Sequence, residues 1–236
     1  AFARFYFLSN DELLEILSQT KDPLAVQQHL SKCFENIAKL EFQPDLQMTA
    51  MISGEGETVK FTKGLYPKGG VEYWMTDVLN EMKNTTRQAI IDGCADYRVC
   101  DRGEWVLKWP GATLIAVCTV FWSLEVEEYL NTKGNQGMHE YYDKAHAQLM
   151  QLTLIVSGAG VTKLQRKSLG ALITIEVHAR DVVANMRDQG VDSVNEFMWA
   201  SQLRYELAGD GTHDGYKLGD TLVKQLDATF LYGYEY

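Results

Sequence analysis

Cysteine and proline are both scarce here, at four each in 236 residues. Cys33, Cys94, Cys100 and Cys118 form no CxxC pair, which excludes a zinc ribbon and a disulfide-framed scaffold and fits a reducing compartment. No apolar run approaches the roughly 18 residues that a bilayer crossing needs. The longest, residues 112–120, is interrupted by Thr113, Cys118 and Thr119. Basic residues are outnumbered, 22 Lys and Arg against 32 Asp and Glu, for a net charge of −10. A chain of that sign repels phosphate backbones and anionic lipid, so neither nucleic acid nor membrane is an expected partner. What is present is ordinary for a folded domain: 46% hydrophobic and 23% charged residues, enough to bury a core.

Along the chain, residues 4–8 are aromatic and strand-like, and Ser9, Asn10, Asp11 and Glu12 then supply capping and first-turn residues for a helix. Pro23 suits a second helix start, and Leu24, His29, Leu30, Cys33, Phe34, Ile37 and Leu40 recur at mostly three- and four-residue spacings. These predict an amphipathic helix to about residue 40. Residues 48–52 and 58–62, separated by SGEGE, predict a hairpin. Residues 62–70, with Gly64, Pro67, Gly69 and Gly70, form the clearest loop and a candidate compliant joint. Helical periodicity then covers residues 71–94, 111–130, 138–156, 162–187 and 194–207. A loop at 209–215 precedes strand character over 221–236, where period two would put Tyr232, Tyr234 and Tyr236 on one face. The fold class expected is α+β, mostly α: a subdomain at 1–66, a helical bundle at 67–208 and a β segment at 209–236. The start lacks an initiator methionine and the chain stops inside an aromatic run, so a piece of a longer chain is expected.

Catalytic motifs are sparse. SGEGE and SGAGVTK (residues 157–163) match neither GxxxxGK[ST] nor GxGxxG, and the first carries two glutamates that would repel phosphate. An independent nucleotide-binding enzyme using Gly158, Gly160 and Lys163 is one alternative, and a helical adaptor another. His139 and His146 lie seven apart, roughly 10 Å along a helix axis, too far to share one metal ion. His178, with Glu176, Arg180 and Asp181, reads as a polar cluster that fixes helix packing, or as acid–base machinery. The five tryptophans lack a basic track beyond Lys163, Arg166 and Lys167, so they are expected in the core. No catalytic, cofactor-binding or metal-ligating residue is assigned.

Five strings in order carry more information than any one of these motifs. They are RFYFLSNDELLEIL with SQTKDP (residues 4–23), WVLKWPG (105–111), LITIEVHARD (172–181), WASQLRY (199–205) and YGYEY (232–236). In this order and spacing the chain resembles the C-terminal part of the linker of dynein heavy chains, the axonemal branch most of all. The resemblance implies a mechanical lever that arches over a ring of AAA+ modules in the same chain. ATP or ADP with Mg2+ would be bound and hydrolysed in that ring, downstream of this segment, which would have no ATPase activity of its own. It further implies movement toward microtubule minus ends through distant parts of the chain, and dynein intermediate and light chains as partners. The implied location is the cytoplasmic cytoskeleton of a cilium or flagellum. Phe230, Tyr232, Gly233, Tyr234 and Tyr236 would then lie at the junction with the first AAA+ module.

Overall fold

The computed structural model describes residues 2–18, 22–209 and 215–236, so most of the expected 209–215 loop and part of SQTKDP lie outside the described residues. The chain is mostly α with two three-stranded antiparallel sheets. It forms two compact units, residues 1–89 with 233–236, and residues 90–232.

In the first unit, Ala3–Phe7 is a 3-10 turn and not the expected strand. Phe2 turns inward, edge-on to Phe5 at 5.2 Å, while Tyr6 and Phe7 stay exposed; this is a turn's periodicity, not alternation by two. Helix α1, Asn10–Ser18, starts as its sequence predicts: Ser9 N donates to Glu12 Oε2 at 2.9 Å and Glu12 N donates to Ser9 Oγ at 3.3 Å. The expected long second helix is a 3-10 turn, Ala25–His29, then one α turn, α2, Leu30–Cys33, after which the chain becomes strand β1, Ile37–Phe42. A bulge between Ile37 and Lys39 explains the mistaken periodicity. The extra residue lets Ile37 and Leu40, three apart, both point into the core.

Strands β2, Met48–Ser53, and β3, Thr58–Leu65, form the expected hairpin and complete the sheet β1-β2-β3. Helix α3, Val71–Tyr97, covers that sheet with Trp74, Met75, Val78 and Met82, and its residues from Ile90 onward belong to the second unit. Strand β3 takes in Thr62 and Gly64, so the loop is shorter than expected and spans residues 66–70.

The second unit is built on three long helices, α5 Gly111–Lys133, α6 Asn135–Ser157 and α7 Lys163–Asp188. Only Gly134 joins α5 to α6, at φ +56°, and a Cβ on Gly137 would strike the Tyr129 carbonyl. The two helices therefore approach as closely as glycine permits. Their core includes Val126, Leu130, Met138, Tyr141, Val183, Met186 and Trp199. A short helix, α4 Arg102–Trp105, seats Trp105 in full burial, with its indole N–H donating to the Gly93 carbonyl at 3.0 Å.

Asp96 ties the end of α3 to the segment before α5, accepting from Lys108 Nζ and Trp109 Nε1 at 2.8 Å each. The Lys108 and Trp109 hydrogen bonds hold its carboxyl below the ordinary carboxylate range. A lowered native value means that this contribution is present above the unfolded-state value and lost as pH falls through the native one. Asp96→Asn should therefore flatten the acid side of the stability curve, read as urea-unfolding free energy at pH 6 and pH 3. An unchanged difference between wild type and variant across that window would contradict the assignment.

The expected helix over 194–207 is a single turn, α8 Phe197–Ala200, followed by strand β4, Arg204–Leu207. Pairing decides it: β4 runs antiparallel to β5, Thr221–Gln225, which pairs with β6, Ala228–Leu231. The expected strand over 221–236 is broken at residues 226–227, where Leu226 has φ +51°, and it ends at Leu231. No helix among the described residues is long and apolar enough to cross a membrane.

Candidate functional site

The structure places the sequence candidates at four separate places. The first is the glycine loop at 157–163, which serves as the turn between α6 and α7. Thr162 and Gln165 form a capping box at the start of α7, and Arg166 donates to the Val156 carbonyl and, at 2.7 Å, to the Gly158 carbonyl. These contacts end one helix and start the next.

The second is the joint candidate. Buried Glu81 of α3 accepts from Thr62 Oγ1 at 2.5 Å and Lys63 N at 2.8 Å, and Thr62 N donates to Thr85 Oγ1 at 3.2 Å. Gly64 sits in the strand just beyond this clamp, while Pro67, Gly69 (φ +79°) and Gly70 lie in the loop that precedes α3.

The third is the polar cluster, and the sequence reading found only one side of it. Glu176 of α7 forms an ion pair with Arg102 of α4, 74 residues away, with only 14% and 13% of the two side chains exposed. Arg102 Nε also donates to the Tyr97 hydroxyl at 3.3 Å. Burial works against the Arg102 charge, yet Glu176 raises the guanidinium's pKa above its ordinary value. Burial lifts the Glu176 carboxyl above the ordinary carboxylate range, with Arg102 pulling it back. Beside them, Cys118 Sγ accepts from Arg102 Nη2 at 3.9 Å, and burial pushes its thiol up to about 12. Arg180 pairs with its neighbour Asp181 at 2.6 Å on the outside of α7, and His178 is exposed at the mouth of the same region. Glu125 joins from α5, accepting from the Tyr141 hydroxyl at 3.1 Å and from Lys144 at 2.8 Å. Arg102 and Tyr141 were not legible as site residues in the sequence, and Glu125 reads there as part of a solvated helix face with Glu127 and Glu128, because only packing brings the three to Glu176.

The fourth is the C-terminal aromatic run. Tyr232 closes sheet β4-β5-β6, its N–H donating to the Thr221 carbonyl at 2.8 Å and its ring lying 5.5 Å from that of Tyr205. After Gly233 the chain enters the first unit. Tyr234 is buried at φ +53°, Glu235 pairs with Arg4, and Tyr236 is 5% exposed, with its hydroxyl donating to the Glu57 carbonyl at 3.1 Å. Tyr236 shares one hydrophobic cluster with Phe2 and Phe34. The three tyrosines are thus not arrayed on one strand face, and Phe230 remains 63% exposed.

Residues 1–93 match the family model described as dynein heavy chain, N-terminal region 2. All 236 residues align with dynein axonemal heavy chain 1 of Mus musculus at 48% identity. Over its whole length the chain is similar to part of the dynein heavy chains. Human dynein axonemal heavy chain 3 is 44% identical over 238 aligned positions, and human dynein axonemal heavy chain 12 is 41% identical over the same number. Each alignment covers the whole chain but only 5%, 6% and 7% of the respective heavy chain. The family model ends within α3, close to the boundary between the units, whereas the heavy-chain likeness continues through the helical unit and the returning tail. Of the strings that carried the resemblance, WVLKWPG includes the buried Trp105 and leads into α5, and LITIEVHARD, inside α7, carries Glu176.

Proposed function

We propose that this segment is the C-terminal part of the mechanical linker of an axonemal dynein heavy chain. In this reading it transmits the conformational change of an ATP-hydrolysing AAA+ ring, in the same polypeptide, into minus-end-directed movement on microtubules. The observation that carries the proposal is the likeness to axonemal dynein heavy chains along all 236 residues. The packing is of the kind a load-bearing part needs. Long helices in close contact and interlocked aromatic side chains resist shear through dense, non-directional contacts. Loop 66–70, beside the Glu81 clamp, is the proposed compliant joint, and Phe230 with the 232–236 run is the proposed approach to the first AAA+ module.

ATP or ADP with Mg2+ belongs to the ring, and intermediate and light chains complete the motor in the cilium or flagellum. A lever works by making different contacts in different nucleotide states, so its exposed helix faces should govern movement more than nucleotide binding. In the full-length heavy chain, Lys163→Ala with Lys167→Ala on the exposed face of α7 should slow microtubule gliding at least threefold. ATP affinity should change less than twofold. Equal loss of both would overturn the lever reading, and loss of ATP binding alone would point to the loop at 157–163.

A further inference from the structure

Both ends of the described chain are fastened to the same unit. At one end Phe2 is buried, with its ring 6.1 Å from that of Phe34, and at the other Tyr236 is buried in the same hydrophobic cluster. Arg4 ties the two ends together directly. It forms an ion pair with Glu235, 231 positions away, while its Nη1 donates to the Cys33 carbonyl at 3.2 Å and its guanidinium lies 5.1 Å from the centre of the Phe34 ring. One residue earlier, Tyr234 is buried at φ +53°, a conformation that a tyrosine keeps only where its surroundings fix it.

This anchoring decides where tension runs. The helical unit, residues 90–232, is joined by the chain to the first unit at both of its ends. A pull applied across residues 2 and 236 is therefore borne by contacts inside the first unit, and the helical unit is a closed loop outside the line of force. It comes under tension only after the tail has left. The contacts that hold the tail include a charge-assisted bond at Glu235, and the ring and hydroxyl of Tyr236, which donates to the Glu57 carbonyl at 3.1 Å.

We infer that residues 233–236 are a mechanical latch. While they are docked, tension along the heavy chain bypasses the helical unit, and their release puts residues 90–232 under load. Arg4, Glu235 and Tyr236 set the force at which release occurs. The inference rests on the lever reading for the source of the tension. Shear across the packed helices is a different load from tension along the chain, so the two readings do not compete.

The test is force spectroscopy on the full-length heavy chain, with DNA handles on tags inserted before Phe2 and after Tyr236 so that an optical trap loads this segment alone. In wild-type force ramps, the lengthening of residues 90–232, on the order of 450 Å at 3.3–3.6 Å per residue, should always follow an earlier release step. At fixed force, Glu235→Gln combined with Tyr236→Phe removes the charge and the hydroxyl but keeps the packing, and should raise the rate of the release step at least tenfold. The later lengthening should keep its size. Glu140→Gln, which breaks an exposed ion pair with Lys133 in the helical unit, should leave the release rate unchanged. Circular dichroism and the melting temperature would verify that each variant is folded. Ramps in which the lengthening of residues 90–232 comes first, or a release rate in the double variant within twofold of wild type, would overturn the latch. Either result would leave the lever reading standing, because that reading is judged by microtubule gliding of the Lys163 and Lys167 variants and not by the order of these steps.

Discussion

Arg102→Met should lower the unfolding free energy of the helical unit by about 3–5 kcal/mol, because it leaves Glu176 charged and without its partner inside the unit. The size of the effect comes mainly from the abandoned charge and less from the pair's own attraction. Taking two ions out of water costs nearly as much as their attraction returns, whereas a single buried ion has nothing to offset its desolvation. It follows that Arg102→Met combined with Glu176→Met should recover most of the loss, with a residual destabilisation of about 1 kcal/mol or a slight gain. Urea unfolding followed by tryptophan fluorescence would report it, since Trp105 and Trp122 lie in this unit. If the double variant were as unstable as the worse single one, the pair would be making a specific contribution beyond mutual neutralisation. The exposed pair Arg180–Asp181 is the control: Asp181→Ala should change stability by no more than about 0.5 kcal/mol.

Tyr236→Ala should destabilise the first unit by about 3–5 kcal/mol, in the range of a large buried aromatic side chain removed from a core. Two costs combine: the cavity left in the hydrophobic cluster of this unit, and the loss of the hydroxyl that pairs with the Glu57 carbonyl at the hairpin turn. Tyr236→Phe separates them, since it keeps the packing and loses only the hydrogen bond, at about 1 kcal/mol. Phe230→Ala, at a ring that is mostly exposed, should cost less than about 0.5 kcal/mol. Amide exchange over β2 and β3 would give the readout for this unit. Faster exchange with Phe230→Ala than with Tyr236→Ala would mean that the tail is not held as described.

What the sequence made legible follows from the range of the interactions. The Ser9–Glu12 capping box and the 53–57 hairpin turn are set by residues within four positions of one another, and both were readable. Long helices α5, α6 and α7 announced themselves through sustained periodicity. Failures fell where distant partners override local pattern. A bulge imitated helical spacing in β1, and β5 drew residues 204–207 out of an apparent helix. The candidate site was half legible. Glu176 stood out in a charged string, but Arg102 is 74 positions away. The family resemblance supplied the functional reading, because long ordered strings encode history that no local rule contains.

The return of residues 233–236 to the first unit has a consequence for how the chain acquires its structure on the ribosome. The first unit is discontinuous, with the whole helical unit inserted between Ala89 and Gly233. Its core lacks Tyr236 until that insertion has been translated, which at roughly 5–20 residues per second takes on the order of ten seconds. During that interval the hydrophobic cluster that Tyr236 completes is open to chaperones, while the helical unit can fold from contiguous sequence alone. Order of emergence and order of completion are therefore inverted: the part synthesised first is finished last.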